Sequence, residues 1–429
     1  MGGPSRNGRA RGRGRWSATA LAAVLLAVPA VAACGSDRTG PPVINLYYGP
    51  EQNLQKVIDN CNQQAGGRYT IVYNTLPREA DGQREQMVRR LAAGDRSMDV
   101  LGLDVTWTAE FAEAGWIREW TGAYREEAER GVLPGPLESA RWRDKLYAAT
   151  KNTNVQLLWY RSDLVDRPPA TWAEMIEQAR QLRDQGRPYQ VLMTGAQYEG
   201  LVVQYNTLVN SVGGHILSED GSQAVMDQGA VRALEVLSQF ANSGVTSPGL
   251  SNQREDTVRL AFQAGDSAAF QINWPFVYPA TKEGNPAVFE NMRWARIPAV
   301  DPGTPSRATI GGYNLAVSSF SEHPDLAFEA ALCLRNAENQ KFSAINDGVP
   351  PTIESVYDEP EMAEAYPMKD TIREALQDSS VRPITPAYQN VSTVLSTVLS
   401  PPSAIDPPAT AQRLREELQD AIESKGVLP

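Results

Sequence analysis

Histidine is almost missing from this 429-residue chain: there are two, His215 and His323, and only three cysteines, Cys34, Cys61 and Cys333. None of them shares metal-ligand spacing with the others, so a zinc-type centre is not expected, and neither is a cofactor. No Gly-x-Ser-x-Gly elbow and no Gly-x-x-x-x-Gly-Lys phosphate loop occurs. Histidine-assisted nucleophilic catalysis is therefore poorly supported. Beyond the N-terminus there is no second apolar run of about eighteen residues, so nothing else is expected to span a membrane. Positive charge is in deficit, with 40 Lys and Arg against 51 Asp and Glu and a net charge of −11. Such an acidic surface argues against nucleic acid and against anionic lipid headgroups as partners.

What the chain does have begins with its leader. Five arginines, Arg6, Arg9, Arg11, Arg13 and Arg15, come before an apolar run over 18–31 that Thr19 and Pro29 interrupt. The run is shorter than the roughly 20 residues of a spanning helix and reads as an export signal over 1–33. Its end, Val31-Ala32-Ala33-Cys34, resembles a lipobox, after which cleavage leaves a lipidated cysteine; an ordinary secretory signal with a chance cysteine is the competing reading. The arginines are never adjacent, which favours the general secretory route over a twin-arginine one. Loss of the five arginines takes the net charge from −11 to −16. The expected product is an extracytoplasmic protein held at the membrane by the lipid on Cys34 alone, with 34–42 as anchor and tether. Cys61 and Cys333 are then an even pair in an oxidising compartment, open to a disulfide or to two buried thiols.

The remaining chain is long enough for two domains. Strands are expected over 43–48, 69–73, 99–104, 145–149, 155–160, 268–272 and 311–317, alternating with helices over 51–63, 84–93, 171–182, 231–240 and 255–263 and, near the end, 361–377 and 408–423. Thr171 with Glu174 three residues on reads as a helix start. The stretch 150–154, Thr-Lys-Asn-Thr-Asn, reads as a polar turn between two strands. Alternation of this kind implies an α/β fold with parallel pairing, and no internal repeat is evident.

Several local patterns then carry a resemblance. They are Asp99-Val-Leu-Gly-Leu-Asp104-Val-Thr-Trp107 with Gly115-Trp116-Ile117, Lys145-Leu-Tyr-Ala-Ala149 running on to Trp159-Tyr160-Arg161, Thr171-Trp172, Phe262-Gln-Ala-Gly265 leading to Trp274-Pro275, and Gly311-Gly312-Tyr313. Each is weak alone; in this order, behind a lipobox, the chain resembles the carbohydrate-binding solute receptors of ABC importers, in particular their trehalose-binding lipoproteins. The resemblance implies a two-lobed periplasmic-binding-protein-like α/β fold with a hinge and an interlobe ligand cleft. Lobe one would hold 43–154 and 310–355, lobe two 155–309 and 356–429. It also implies a monomer that delivers a disaccharide to ABC permease and ATPase subunits. Cys61 and Cys333 would share a lobe, which favours the disulfide.

A sugar ring has polar edges and apolar faces, so its site needs aromatic plates and planar groups that grip hydroxyl pairs. In open α/β sheets such groups follow the carboxyl ends of strands. Asp104 ends a strand and is either a hydroxyl acceptor or the cap of the next helix; Asp99 fits a turn. Asn152 and Asn154 offer donor and acceptor together, or form a turn. Trp274, on the turn after 268–272, resembles the family's stacking tryptophan, with core packing as the alternative. Gly312 allows close backbone approach and Tyr313 adds an aromatic where related binders carry tryptophan. Glu51 and Arg382 match family positions that touch hydroxyls, although Arg382 is equally suited to pair with Glu51 or Asp104. Glu255 and Asp256 are ligand contacts or helix N-terminal charge, and Arg84 is a contact or an exposed helix face.

The leading expectation is a binding protein for trehalose, not an enzyme. The same role for maltose, another α-glucoside or a glycerophosphodiester is the serious competitor. A lipid-anchored glycoside hydrolase is the remote one, since Asp104, Glu51, Glu255 and Asp256 supply the carboxylates such a reaction requires.

Overall fold

Residues 40–424 are described by the structure, a computed structural model. The expected signal at 1–33, the lipidation site Cys34 and the tether up to residue 39 lie outside the described residues. Apolar residues alternate along β1 (Val43–Tyr48), which turns Ile44 and Leu46 inward. It is followed by β2 (Thr70–Thr75), β3 (Val100–Asp104), a small hairpin of β4 (Arg141–Trp142) and β5 (Lys145–Leu146), and then β6 (Ala149–Asn154). The second lobe contributes β7 (Leu157–Arg161), β8 (Gln190–Leu192), β9 (Ala268–Asn273) and β10 (Met292–Ala295), before β11 (Gly311–Val317) returns to the first. The first sheet runs β2-β1-β3-β11-β6 and the second β10-β7-β9-β8.

Both sheets are mixed, which corrects the expectation of parallel pairing. β1 pairs parallel with β2 and β3, and β8 parallel with β9. β11 runs antiparallel to both β3 and β6, and β7 antiparallel to β9 and β10. The reason is topological: β11 comes back from the other lobe and slots between two strands that already point the opposite way.

A second correction concerns 150–154, which is strand, not turn. The polar side chains of Thr150, Lys151, Asn152 and Thr153 are buried, and each meets a partner inside the protein. Thr150 Oγ1 donates to Thr352 Oγ1 at 2.9 Å, and Asn152 Oδ1 accepts from the Tyr48 hydroxyl at 3.1 Å. Lys151 is the extra residue of a bulge, since Tyr313 faces Asn152 and Asn314 faces Thr150.

Each sheet has its own hydrophobic core. Leu46, Val100, Leu103 and Leu315 pack with Leu54, Ile58 and Ala331 in one; Leu157, Trp159, Phe270 and Ile272 pack with Leu201, Leu234 and Phe240 in the other. Cys61, on helix Leu54–Ala65, is bonded to Cys333, on helix Pro324–Leu334, with an S–S distance of 2.06 Å. The lobes are joined where β6 runs into β7 and where 308–310 runs into β11. Ser380 braces the second crossing: its N–H donates to Ala308 O at 3.0 Å and its carbonyl accepts from Ile310 N–H at 2.8 Å. Thr171 caps helix Trp172–Asp184, accepting from Glu174 N–H at 3.1 Å. Among the described residues no helix is long and apolar enough to cross a membrane, and no His/Cys/Asp/Glu group has the arrangement of a metal site.

Candidate functional site

The carboxyl ends of β3 and β6 and the start of β11 meet at one edge of the first sheet. Tyr313 is in register with Asp104 and Asn152, and Gly311 with Asn154. Across from this edge, β9 of the second sheet ends at Asn273 and hands the chain to Trp274. The space between is a cleft of ≈ 220 Å³. Asp104, Asn152, Asn154, Glu255, Trp274, Gly312, Tyr313 and Arg382 all line it.

The competing readings of these residues are now separable. Trp274 is only partly buried and stands outside both cores; Asn273 Oδ1 accepts its backbone N–H at 2.9 Å and fixes the turn. Its ring edge lies close over Gly311, where an added Cβ would come within 3.1 Å of the indole. Gly312 adopts φ 127°, and a Cβ there would fall 2.3 Å from Asn152 O. Glycine is thus required for β11 to lie against β6. Tyr313 turns its hydroxyl away to Gln83 Oε1, 2.9 Å, and sets its ring 4.7 Å from that of Tyr48. Burial, then the nearby Asp104 charge, raises its pKa and keeps the phenol neutral.

Asp104 serves two structural partners through one oxygen. Its Oδ1 accepts from Thr106 N–H at 3.0 Å, Thr106 Oγ1 at 2.8 Å and Arg382 Nη2 at 3.1 Å. Its Oδ2 has no hydrogen bond among the described residues. Among the described residues, Asn154 Oδ1 and Arg382 Nε are buried without a partner. Unpaired buried polar atoms are costly, so atoms of this kind lining a cleft point to a polar ligand.

Arg382 is almost fully buried at 4% exposure, and its guanidinium is divided between Asp104 and a residue the sequence reading did not anticipate. Glu199 Oε1 accepts from Arg382 Nη1 and from the Tyr388 hydroxyl, both at 2.6 Å, and Oε2 accepts from Ser392. Burial pushes the Glu199 carboxyl up, against the pull of Arg382. Burial also works against the Arg382 cation, but Asp104 and Glu199 outweigh it and hold it charged. The adjoining Tyr198 is a second unanticipated residue: its hydroxyl donates to Glu255 at 2.6 Å. The Glu255 carboxyl is likewise raised by burial, with that hydrogen bond opposing.

Arg78, Glu79 and Asp81 complete the lining at the mouth and were also missed. Glu79 pairs with Arg254 and Asp81 accepts from Gln389 Nε2 at 3.1 Å, so the first lobe is fastened to the second across the opening. Three expected contacts are not brought to the cleft. Glu51 is buried behind it, gripped by Lys151 Nζ at 2.7 and 2.9 Å and by Ser343 at 3.1 Å. Asp256 is exposed and pairs with Arg259 at 3.3 Å. Arg84 is spent on Glu110.

Fold and cleft together define a two-lobed α/β binding protein. Comparison with known proteins gives the family: the chain belongs to the bacterial extracellular solute-binding proteins, whose pattern matches residues 49–341. This is a family of extracytoplasmic receptors, not enzymes. The chain is 28% identical to a probable ABC transporter-binding protein of Deinococcus radiodurans, over 80% of this chain and 84% of that protein. Its fold is similar to maltose-bound MalE3 of T. maritima, with TM-score 0.79 and 27% identity, covering 88% of this chain and 99% of that one. It is similar in fold to the GacH receptor of Streptomyces glaucescens, with TM-score 0.77 and 19% identity over 90% of this chain and 100% of that one.

Proposed function

We propose that this protein captures trehalose in the interlobe cleft and delivers it to the permease and ATPase subunits of an ABC importer, as a monomer held at the cell membrane by a lipid on Cys34. The observation that carries the ligand class is the pairing of a cleft tryptophan with unpaired polar atoms. Trp274 offers an apolar plate, while Asp104, Asn154 and Arg382 line the same cleft with hydrogen-bonding capacity that the described residues do not use. A cleft of ≈ 220 Å³ suits a short saccharide better than a long one. Ligand contacts from both lobes favour the closed arrangement, which is how binding becomes a signal to a transporter.

The choice of trehalose rests on the sequence resemblance to trehalose-binding lipoproteins. Likeness to a maltose-bound receptor keeps maltose as the second reading. The acidic lining disfavours a glycerophosphodiester. The described residues from 41 to 424 form one compact unit, so a chain of residues 41–429 can be titrated calorimetrically with trehalose, maltose and sucrose. Saturable trehalose binding, lost in Trp274→Ala and Asp104→Ala, is the expected outcome. Binding of maltose without trehalose overturns the ligand, and no heat with any sugar overturns the class. Mass spectrometry of the membrane-extracted protein tests the anchor: a diacylglyceryl cysteine at residue 34 is expected, and an unmodified mature N-terminus removes it.

A further inference from the structure

Charge in the cleft does not balance. Arg382 is shared by two lining carboxylates, Asp104 and Glu199. Glu79 draws its counter-charge from Arg254, which is outside the lining, and Arg78 lends its charge to Asp256, also outside. Among the described residues, two lining carboxylates, Asp81 and Glu255, form no ion pair. Asp81 accepts from the neutral amide of Gln389, and Glu255 from the neutral Tyr198 hydroxyl at 2.6 Å.

For hydroxyl recognition alone an amide is sufficient, and Asn152 and Asn154 already supply two. A carboxylate shut into a closing cleft without a counter-ion is costly, and a ligand cation removes that cost. Glu255 and Trp274 line the same cleft, and a carboxylate together with an aromatic ring is a pair that receives an ammonium group. Arg382 lines the same cavity, is deeply buried, and has no partner for its Nε among the described residues.

We infer that the cleft takes saccharides carrying a protonated amine in preference to their neutral parents, with Glu255 receiving the ammonium, and that it rejects phosphorylated sugars. This rests on the reading of the cleft as a saccharide site. The test is calorimetric titration of residues 41–429 at about pH 6, where alkyl amines are charged, with four probes: trehalose, its 2-amino and 6-amino deoxy derivatives, and trehalose 6-phosphate. At least one amino derivative is expected to bind about tenfold tighter than trehalose, the worth of one charge-assisted hydrogen bond, and the phosphate to give no heat. In Glu255→Gln the ratio of amine to parent affinity is expected to fall to about one. Trehalose binding with both amines equal or weaker overturns the inference and leaves the saccharide reading intact. So does phosphate binding as tightly as trehalose, or an amine preference that survives in Glu255→Gln. No heat with any of the four removes trehalose as the ligand and this inference with it. The wild-type comparison decides the matter even if the variant does not fold.

Discussion

Gly312 is the residue on which the site's geometry is most exposed to a single change. Alanine there meets both an unfavourable φ and the carbonyl of Asn152 at 2.3 Å. Gly312→Ala is expected to lose about 3 kcal/mol in urea unfolding, from strain and forced separation of β11 from β6 together. Glu255 gives a pH signature. Its carboxyl is held above the ordinary 4.5 by burial, so its contribution to stability is fully present below pH 4.5 and is lost as the pH climbs through the raised value. Urea midpoints measured from about pH 4 to about pH 7 should fall for the wild type relative to Glu255→Gln. At this scale the sequence was informative wherever a polar or aromatic residue followed an apolar run: Asp104 and Trp274 both lie on the cleft. Glu51 also follows a strand, but its partner Lys151 sits in a stretch polar enough to pass for a turn, so their buried pairing was hidden. Glu199 was hidden for another reason. It opens a helix whose burial is nearly all-round, so no amphipathic stripe announced it.

That helix, Glu199–Ser211, and helix Tyr388–Leu399 are the elements that carry the second lobe's half of the Arg382 cluster, through Glu199, Tyr388 and Ser392. Neither was expected, whereas helix Gln228–Ala241, with one buried face, was. The segment leading into helix Ala80–Ala92 plays a different part. Glu79 and Asp81 reach over the opening to Arg254 and Gln389. The Glu79–Arg254 pair is exposed and thus worth under about 1 kcal/mol. Arg254→Ala is expected to weaken trehalose binding about two- to fivefold. Titrations at low and high salt should show that the wild type loses affinity with added salt while the variant responds less.

For the molecule as a whole, the Cys61–Cys333 bond closes a sequence separation of 272 residues inside the body of the first sheet. Replacing both cysteines with serine is expected to cost about 2–4 kcal/mol in unfolding free energy. Because neither cysteine lies on the cleft, trehalose affinity of the folded variant should match the wild type; a parallel loss of affinity would mean that the bond shapes the site. The nesting of the chain has a consequence of its own. β11 supplies the strand between β3 and β6, so a nascent polypeptide cannot join β6 to its first sheet until residue 317 has been synthesised. The second lobe still awaits helix Pro407–Ile422, which packs against helices Gln228–Ala241 and Tyr388–Leu399. Neither half can set in its final form during most of translation. A chain whose two halves are completed this late is suited to passage through a narrow channel before it becomes rigid.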